Sequence, residues 1–400
     1  MLRKRIYLDF AAITPIDGRV QKVMQKASRF FANPSSLYKE GVEAKIKLEE
    51  ARKDIAGLIS ALPDEIFFTS GGTEGNNLAI LGAYIKAREF LNAQNKKPHL
   101  IVSSIEHSSV LEVAKHLEKR GVLVTYIEPD EEGIIDPKKI REALKPETFL
   151  VSVHLANNEI GVIEPIALIA KAIRHFKKHS PDASESFPLL HTDACQAFSH
   201  LDINVLTLHV DFLTLDGSKV YGPRGVGVLY KKRGVEIETL MHGGGQEKGI
   251  RSGTENLPVI LGLKEALSIA QKERKAETEK LKKLQAYFFE RLKKEVPEAK
   301  INGSLESRLP NNVNFCVPKL DAEFAVFQLD AEGIAVSSAS SCLSKNEVSA
   351  SYVIKAIRPE NDCATSSLRI SFGKTTKKGH IDSFFRSFKK ILEKNFHFAG

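Results

Sequence analysis

The chain has 400 residues, of which 42% are hydrophobic and 27% are charged, the balance of an ordinary globular protein. Its formal net charge is +8, but the lysines lie mainly in helical segments of mixed sign, and no basic run is interleaved with aromatic residues. This pattern favours a solvated surface over a direct nucleic-acid interface. No stretch has the length and hydrophobicity of a membrane span, and no apolar leader follows the basic N-terminus.

The cysteines are widely spaced and include no C-x-x-C pair. They are Cys195, Cys316, Cys342 and Cys363. Such spacing favours a reducing compartment over a disulfide framework, so we predict a cytoplasmic protein. Cys195 lies in "DACQ" and Cys316 in an apolar run, and we interpret both as small, buried packing residues. Cys363 belongs to a loop and receives no assignment.

From about residue 66 to residue 230, short apolar runs alternate with segments of helical periodicity. The predicted strands are "IFFT", "HLIVSS", "VLVTYIE", "FLVSVHL", "PLLHTDA" and "VDFLTLD". After the fourth run, Ile166, Ile169, Ile173 and Phe176 form one apolar helical stripe. Strands that alternate with helices predict an α/β fold with a mostly parallel, doubly wound sheet.

The pattern changes after about residue 261. A long amphipathic helix, the strand-like run "NNVNFCV" and a final amphipathic helix predict a smaller α+β domain. We therefore predict a large domain over residues 15–261 and a small domain formed by residues 1–14 and 262–400. Within the small domain, the serine-rich "SSASSCLSKNEVSAS" has the composition of a mobile loop.

Polar clusters end five of the predicted strands. They are "TSGGTEGNN", "SIEHSS", "ANNEIG", "HTDACQ" and "DGSK". Ligands of doubly wound sheets bind beyond the carboxyl ends of the strands, so these clusters predict one shared site. The "SGGTE" turn places backbone N–H groups at a helix N-terminus and suits an anion, although an ordinary tight turn explains it equally well. His107 and Asp193, each taken alone, are also compatible with purely structural roles.

Taken together, three of these features match the requirements of pyridoxal 5'-phosphate (PLP). This cofactor needs a lysine for a Schiff base, a carboxylate against its pyridine nitrogen and donors for its phosphate. Lys219 in "DGSK", Asp193 in "HTDACQ" and the "GGT" turn supply these groups. The residues therefore indicate a PLP site.

Nine motifs in order resemble the cysteine desulfurases, the NifS/IscS-like branch of the class V aminotransferase superfamily. They are "YLDFAAITPID", "NPSSLYKEG", "IFFTSGGTEGNNLAI", "SIEHSSV", "ANNEIGVIEPI", "HTDACQA", "GSKVYGPRGVGVLY", "HGGGQEKGIRSGTEN" and "SLRISFG". The resemblance runs from about Tyr7 to Gly373. It implies a fold-type I PLP enzyme.

The resemblance also implies roles for individual residues. Lys219 would bind the cofactor covalently, Asp193 would pair with the pyridine nitrogen, and Gln196 would donate to the ring hydroxyl. His107 would stack on the ring and act as an acid or base for the substrate thiol.

The remaining implied roles concern the substrate, the phosphate and a second subunit. Asn158 and Arg369 would hold the substrate carboxylate. The cofactor phosphate would be bound by Gly72, Thr73 and Ser218. Thr254 matches a position that reaches the phosphate of the neighbouring subunit, so a homodimer is expected.

Cys342, in the serine-rich loop, matches the active cysteine of these enzymes. The resemblance thus implies that L-cysteine is converted to L-alanine and that a persulfide forms on Cys342. The sulfur acceptor would be a protein such as an iron–sulfur scaffold, or a relay for tRNA thiolation. An incidental loop cysteine is the alternative for Cys342.

The chain departs from the family pattern beside its lysine. The family usually has serine where this chain has Asp216 and histidine where it has Ser218, and both positions normally contact the phosphate. Two other functions stay open: a selenocysteine lyase or other class V lyase, and a non-catalytic PLP-binding scaffold. A scaffold should lack Lys219, Asp193 or Arg369, and all three are present. No metal site is predicted.

Overall fold

The computed structural model describes residues 5–180, 186–338, 350–359 and 362–397, with side chains up to residue 393. The strands are β1 (Ile6–Tyr7), β2 (Ile66–Thr69), β3 (His99–Ser103), β4 (Leu123–Ile127), β5 (Thr148–Ser152), β6 (Leu189–Asp193), β7 (Phe212–Asp216), β8 (Gly227–Lys231), β9 (Lys300–Ile301), β10 (Asn312–Cys316), β11 (Ile334–Ala335), β12 (Ser337–Ser338) and β13 (Ser367–Ser371). The helices are α1 (Gly18–Ala27), α2 (Lys39–Leu58), α3 (Gly72–Asn92), α4 (Ser108–Glu118), α5 (Pro137–Ala143), α6 (Ile166–His179), α7 (Val205–Leu208), α8 (Leu257–Glu295), α9 (Ala322–Ala331), α10 (Tyr352–Ile357) and α11 (Lys378–His397).

The main sheet has seven strands in the order β2-β8-β7-β6-β5-β3-β4. Neighbouring strands are parallel except at β8, which is antiparallel to both β2 and β7. The connection from β7 to β8 is short, and a parallel crossover needs a dozen or more residues, so β8 must return antiparallel. The predicted doubly wound, mostly parallel sheet is confirmed.

Helices cover both faces of this sheet, which explains why its central strands are apolar along their whole length. One face packs against α2, α6 and the first half of α8, and the other packs against α3 and α4. Ile166, Ile169 and Ile173 of the predicted α6 stripe are buried. Sheet and helices together hold the carboxyl ends of the strands in fixed positions.

A second sheet, in the order β12-β13-β10-β9, has its own apolar core. Phe288 of α8 lies at the centre of this core and contacts Phe315, Phe372, Phe384 and Phe385. Helix α8 buries its first half in the large core and its second half in the small one. The boundary proposed at residues 261/262 falls inside this helix, and the two-domain division stays a proposal.

The N-terminal segment joins the small core as well. Strand β1 pairs in parallel with β11, and Leu8 is buried among the apolar residues of the second core. Among the helices that the structure describes, none has both the length and the hydrophobicity needed to cross a membrane.

Cys316 and Cys363 form a disulfide, with their Cα atoms 5.3 Å apart. Cys316 is buried, as predicted, but its interpretation as a packing residue was wrong, and so was the preference for a reducing compartment over disulfides that was based on cysteine spacing. Strand β10 pairs antiparallel with β13, which places Cys316 opposite Ser367. Cys363 lies just before β13, so tertiary pairing brings together two cysteines that are 47 residues apart.

Candidate active site

A cavity of about 370 Å³ lies at the carboxyl edge of the main sheet, where the small sheet and the N-terminal segment close over it. Nine of the residues that sequence analysis assigned to the site line this cavity. They are Gly72, Thr73, His107, Asn158, Asp193, Gln196, Ser218, Lys219 and Arg369. The structure thus brings these nine residues together, while their individual roles remain predictions.

Asp193 ends β6 and is 9% exposed. Its Oδ2 accepts a hydrogen bond from Asn76 Nδ2 at 2.7 Å, and its Oδ1 accepts one from the Cys195 backbone N–H at 2.9 Å. Burial alone would raise the pKa of Asp193, but these hydrogen bonds, together with the nearby His107, lower it instead. The site therefore holds a fixed, ionised carboxylate.

Lys219 lies in a 3₁₀ turn that follows β7. Its Nζ donates to the backbone carbonyls of Ala11, at 3.2 Å, and Ala12. Gln196 Nε2 donates to the same Ala11 carbonyl at 2.9 Å. The N-terminal segment thus orients two side chains that enter the cavity from the main sheet.

His107 is the N-cap of α4, and its Nδ1 lies 2.8 Å from Ser109 Oγ. Ser109 Oγ in turn accepts a hydrogen bond from Asn76 Nδ2 at 2.9 Å. His107 is therefore connected to Asp193 through Ser109 and the fully buried Asn76. Sequence reasoning missed Asn76 and Ser109, although both lie in the polar clusters that end strands.

Arg369 in β13 crosses from the small sheet into the cavity and is 6% exposed. Its Nη2 donates to Asp9 Oδ1 at 2.8 Å, and its Nη1 donates to the Asn158 carbonyl at 3.2 Å. Its Nε is buried and has no partner among the described residues. An oriented guanidinium with an unused N–H suits a carboxylate ligand. Asp9, which positions it, was also missed.

At the end of the cavity where Gly72 and Ser218 lie, the predicted phosphate site contains a carboxylate, that of Asp216. Asp216 Oδ2 accepts a hydrogen bond from the Gly72 backbone N–H at 2.8 Å. Its Oδ1 accepts hydrogen bonds from the Ser218 backbone N–H at 2.7 Å and from Ser218 Oγ at 2.6 Å. Two of the three residues predicted to bind phosphate therefore already donate to a carboxylate.

Cys195 lines the cavity beside this carboxylate and is partly exposed, so its interpretation as a buried packing residue was wrong. It lies two residues after the end of β6, and its side chain lies beside the N-terminus of α3. Desolvation, together with the charges of Asp193 and Asp216, raises the pKa of the thiol well above its usual range. Cys195 is therefore a neutral thiol and a poor nucleophile.

Two predicted site residues are not part of this cavity. Thr254 lies in a separate pocket with Arg251 and Asn256. Cys342 lies outside the described residues. The cavity itself holds side chains that can bind an aromatic ring and a ligand carboxylate. At its other end, the Asp216 carboxylate would lie close to a bound phosphate.

Comparison with known proteins identifies the family. The family model described as "Aminotransferase class-V" matches residues 6–384. The chain is also 39% identical over 394 residues to cysteine desulfurase IscS of Dictyoglomus turgidum, an alignment that covers 98% of this chain and 96% of that protein. The chain belongs to the class V aminotransferase family.

Solved structures of this family have the same architecture. A NifS-like protein superposes with a TM-score of 0.87 at 32% identity and covers 98% of this chain and 100% of its own. A structure of SspA in complex with cysteine superposes with a TM-score of 0.74 at 36% identity, covering 92% and 99% of the two chains. The fold-type I prediction is confirmed.

The family is PLP-dependent, and PLP is the cofactor of this chain. The cavity fits the ring of this cofactor, since an ionised carboxylate (Asp193), a lysine (Lys219) and an amide donor (Gln196) converge there. The fit at the phosphate end depends on Asp216, whose carboxylate already accepts the Gly72 N–H.

Proposed function

We propose that the protein is a PLP-dependent cysteine desulfurase that converts L-cysteine to L-alanine and retains the sulfur as a persulfide on Cys342. The observation that carries the proposal is the convergence of Lys219, Asp193, His107 and Arg369 on one cavity. The IscS relative, whose name gives the same activity, supports this assignment at 39% identity.

Arg369 and Asn158 are the proposed contacts for the substrate carboxylate. Arg369 lines the cavity, and it is held by Asp9 and by the Asn158 carbonyl. A fixed guanidinium binds a carboxylate through two parallel hydrogen bonds, which also orients the rest of the substrate. L-cysteine as the ligand is supported by its presence in the SspA complex.

When bound, PLP supplies an electron sink for the carbon skeleton of the substrate. The Lys219 amine takes the Cα proton, and His107 exchanges a proton with the substrate sulfur. The Cys342 thiolate attacks that sulfur, so an S–S bond forms as the Cβ–S bond breaks. Cβ is reduced, the transferred sulfur is oxidised, and the products are alanine and a persulfide.

The position of Cys342 along the chain supports this transfer. Val336 and Ser337 line the cavity, and Cys342 follows Ser337 by five residues. Five extended residues span at most about 17 Å. The number of residues between Ser337 and Cys342 therefore permits contact between the Cys342 thiolate and the cavity.

The proposal includes a homodimer and an iron–sulfur scaffold as sulfur acceptor. It also keeps a cytoplasmic location, although the Cys316–Cys363 disulfide removes the argument from cysteine spacing. Thr254 supports the dimer, because it lies outside the cavity of its own subunit but matches a residue expected to reach the partner's phosphate. The only support for a scaffold over tRNA thiolation is the name IscS of the relatives. A sulfur-transfer assay with each acceptor distinguishes the two.

The test is turnover of L-cysteine by the purified protein loaded with PLP. We expect equal amounts of alanine and persulfide sulfur, and we expect Cys342→Ala to lose both, whereas Ser344→Ala in the same loop should retain them. Full alanine formation by Cys342→Ala would overturn the persulfide step. If the wild-type protein turned over selenocysteine but not cysteine, a selenocysteine lyase would replace the proposal.

A further inference from the structure

Asp216 occupies the position where an anionic ligand of α3 would bind. The N-terminus of α3 is formed by Gly71 and Gly72, and the Asp216 carboxylate lies directly against it. A Cβ atom added to Gly71 would lie 3.0 Å from Asp216 Oδ2, and one added to Gly72 would lie 3.4 Å from the same atom. The carboxylate thus caps this helix from β7, on a different element of the sheet.

The hydrogen bonds of Asp216 remove donors from the phosphate end of the cavity. Gly72 N–H and both donors of Ser218 are directed at its two oxygens. These three donors, the ones that the structure describes for this carboxylate, are all uncharged. A phosphate that approached them would have to compete with the carboxylate for these hydrogen bonds and would be repelled by its negative charge.

The ring end of the cavity carries no such conflict. Asp193 accepts hydrogen bonds from Asn76 and from the Cys195 backbone, and Lys219 donates to the Ala11 and Ala12 carbonyls. None of these hydrogen bonds involves Asp216. The free energy of cofactor binding therefore has two separable contributions. Contacts with the ring are favoured by Asp193 and Lys219, whereas contacts with the phosphate are opposed by Asp216.

We propose that Asp216 is a specificity-determining residue that weakens recognition of the cofactor's phosphate, so that the protein distinguishes PLP from unphosphorylated pyridoxal only weakly. The inference rests on the proposed function, because it assumes that the cavity binds this cofactor through Lys219. Asp216 acts by holding the Gly72 and Ser218 donors and by its charge. It leaves the ring contacts unchanged.

The test is a thermodynamic double cycle. One change removes the phosphate from the ligand, and the other removes the Asp216 carboxylate from the protein. PLP and pyridoxal are titrated separately into the cofactor-free protein, and binding to Lys219 is followed by the absorbance of the ligand. The variants are Asp216→Ser, the nearly isosteric Asp216→Asn, and the control Glu112→Gln. Glu112 is an exposed residue of α4 that pairs with Lys115, so its substitution removes one charge away from the cavity.

The quantity compared is the ratio of the pyridoxal Kd to the PLP Kd, in which general effects of each substitution on folding or ring binding cancel. We expect this ratio to rise about tenfold or more in both Asp216 variants and to stay at the wild-type value in Glu112→Gln. An unchanged or smaller ratio in Asp216→Ser and Asp216→Asn, with both ligands still bound, would overturn the inference and leave the proposed function intact. Failure of every variant and of the wild type to bind either ligand at Lys219 would overturn both.

Discussion

At the scale of single residues, the ionisation of Asp193 is set by its neighbours. A buried carboxylate is normally destabilised, and here hydrogen bonds from Cys195 and Asn76 outweigh that cost and lower its pKa. In the proposed reaction, an ionised Asp193 would stabilise a proton on the pyridine nitrogen of PLP and so strengthen the electron sink. Asn76 does not line the cavity, so we propose that it acts as a positioning residue for Asp193.

Replacing Asn76 with alanine tests this role. Asp193 would lose a hydrogen bond to a charged acceptor, an effect of about 1.5–3 kcal/mol, so we expect kcat/KM for cysteine to fall by roughly 10- to 100-fold. Because the pKa of Asp193 rises when the donor is lost, the acid limb of the pH–activity profile should move to higher pH. Initial rates measured from pH 5 to pH 9 check both effects.

Asn92→Ala is the matched control, since Asn92 is an exposed residue at the far end of the same helix. It should change neither the rate nor the acid limb by much. If Asn76→Ala lowered activity with no shift of the acid limb, Asn76 would be a purely structural residue.

At the scale of elements, the disulfide ties the end of β10 to the segment that precedes β13, the strand that carries Arg369. The bond closes a loop across 47 residues. Constraining a loop of that length in the unfolded chain corresponds to about 4 kcal/mol in the chain-entropy account. The small sheet should therefore depend on this bond more than the main sheet does.

We predict that reduction of Cys316–Cys363 lowers the free energy of unfolding by about 2–4 kcal/mol. Urea unfolding, with and without dithiothreitol, measures the difference. The double variant Cys316→Ala/Cys363→Ala should be less stable than the oxidised protein and should be insensitive to the reductant. A reductant effect of equal size in that double variant would assign the stabilisation to another group.

A buried acid–base cluster in the wall of the cavity is a second feature at the scale of elements. His154 Nδ1 lies 2.8 Å from Glu106 Oε1, and Glu164 lies 3.7 Å from its other ring nitrogen. Burial would lower the pKa of His154, but the carboxylate of Glu106 outweighs it and raises the pKa to about 9. Burial raises the pKa of Glu164 to about 7.

These shifts predict that stability falls as pH rises. His154 has a higher pKa in the folded state, so its stabilising contribution is complete below about pH 6.5 and is lost as pH rises through about 9. Glu164 adds a cost that accumulates between about pH 4.5 and 7. Urea unfolding measured from pH 5 to pH 9 should show that the free energy of unfolding declines. In His154→Gln, the decline above pH 6.5 should be smaller than in the wild type. A variant with the wild-type slope in that range would contradict the assignment.

At the scale of the whole molecule, the described surface carries exposed apolar side chains between α1 and α2. Phe31 is 83% exposed and Leu37 is 95% exposed. Large apolar side chains on one surface segment are typical of a protein–protein interface. Together with Thr254, which lies outside the cavity of its own subunit, they support the proposed dimer.

We predict that Leu37→Glu shifts the protein towards the monomer, because a charge buried without a partner opposes association. Light scattering coupled to size-exclusion chromatography measures the mass. Leu168→Glu, at a 57% exposed position on α6, is the matched control and should leave the mass unchanged. A monomeric wild type, or a dimer that tolerates Leu37→Glu, would contradict this interface.

The alternation of strands and helices, the mostly parallel sheet and one shared site at the strand ends could be predicted from the residues alone. Hydrophobic periodicity and strand-end polarity are local signals, and parallel strands bring their carboxyl ends to one edge. Arg369 lies on the small sheet, and its assignment to the site followed only from the resemblance to the cysteine desulfurases. The three-dimensional structure was needed to find the Cys316–Cys363 disulfide, the network from His107 to Asp193 through Asn76, and the capping of α3 by Asp216. Each of these joins residues that are distant in sequence, and such contacts depend on which strands pair and how closely they pack rather than on any pattern along the chain.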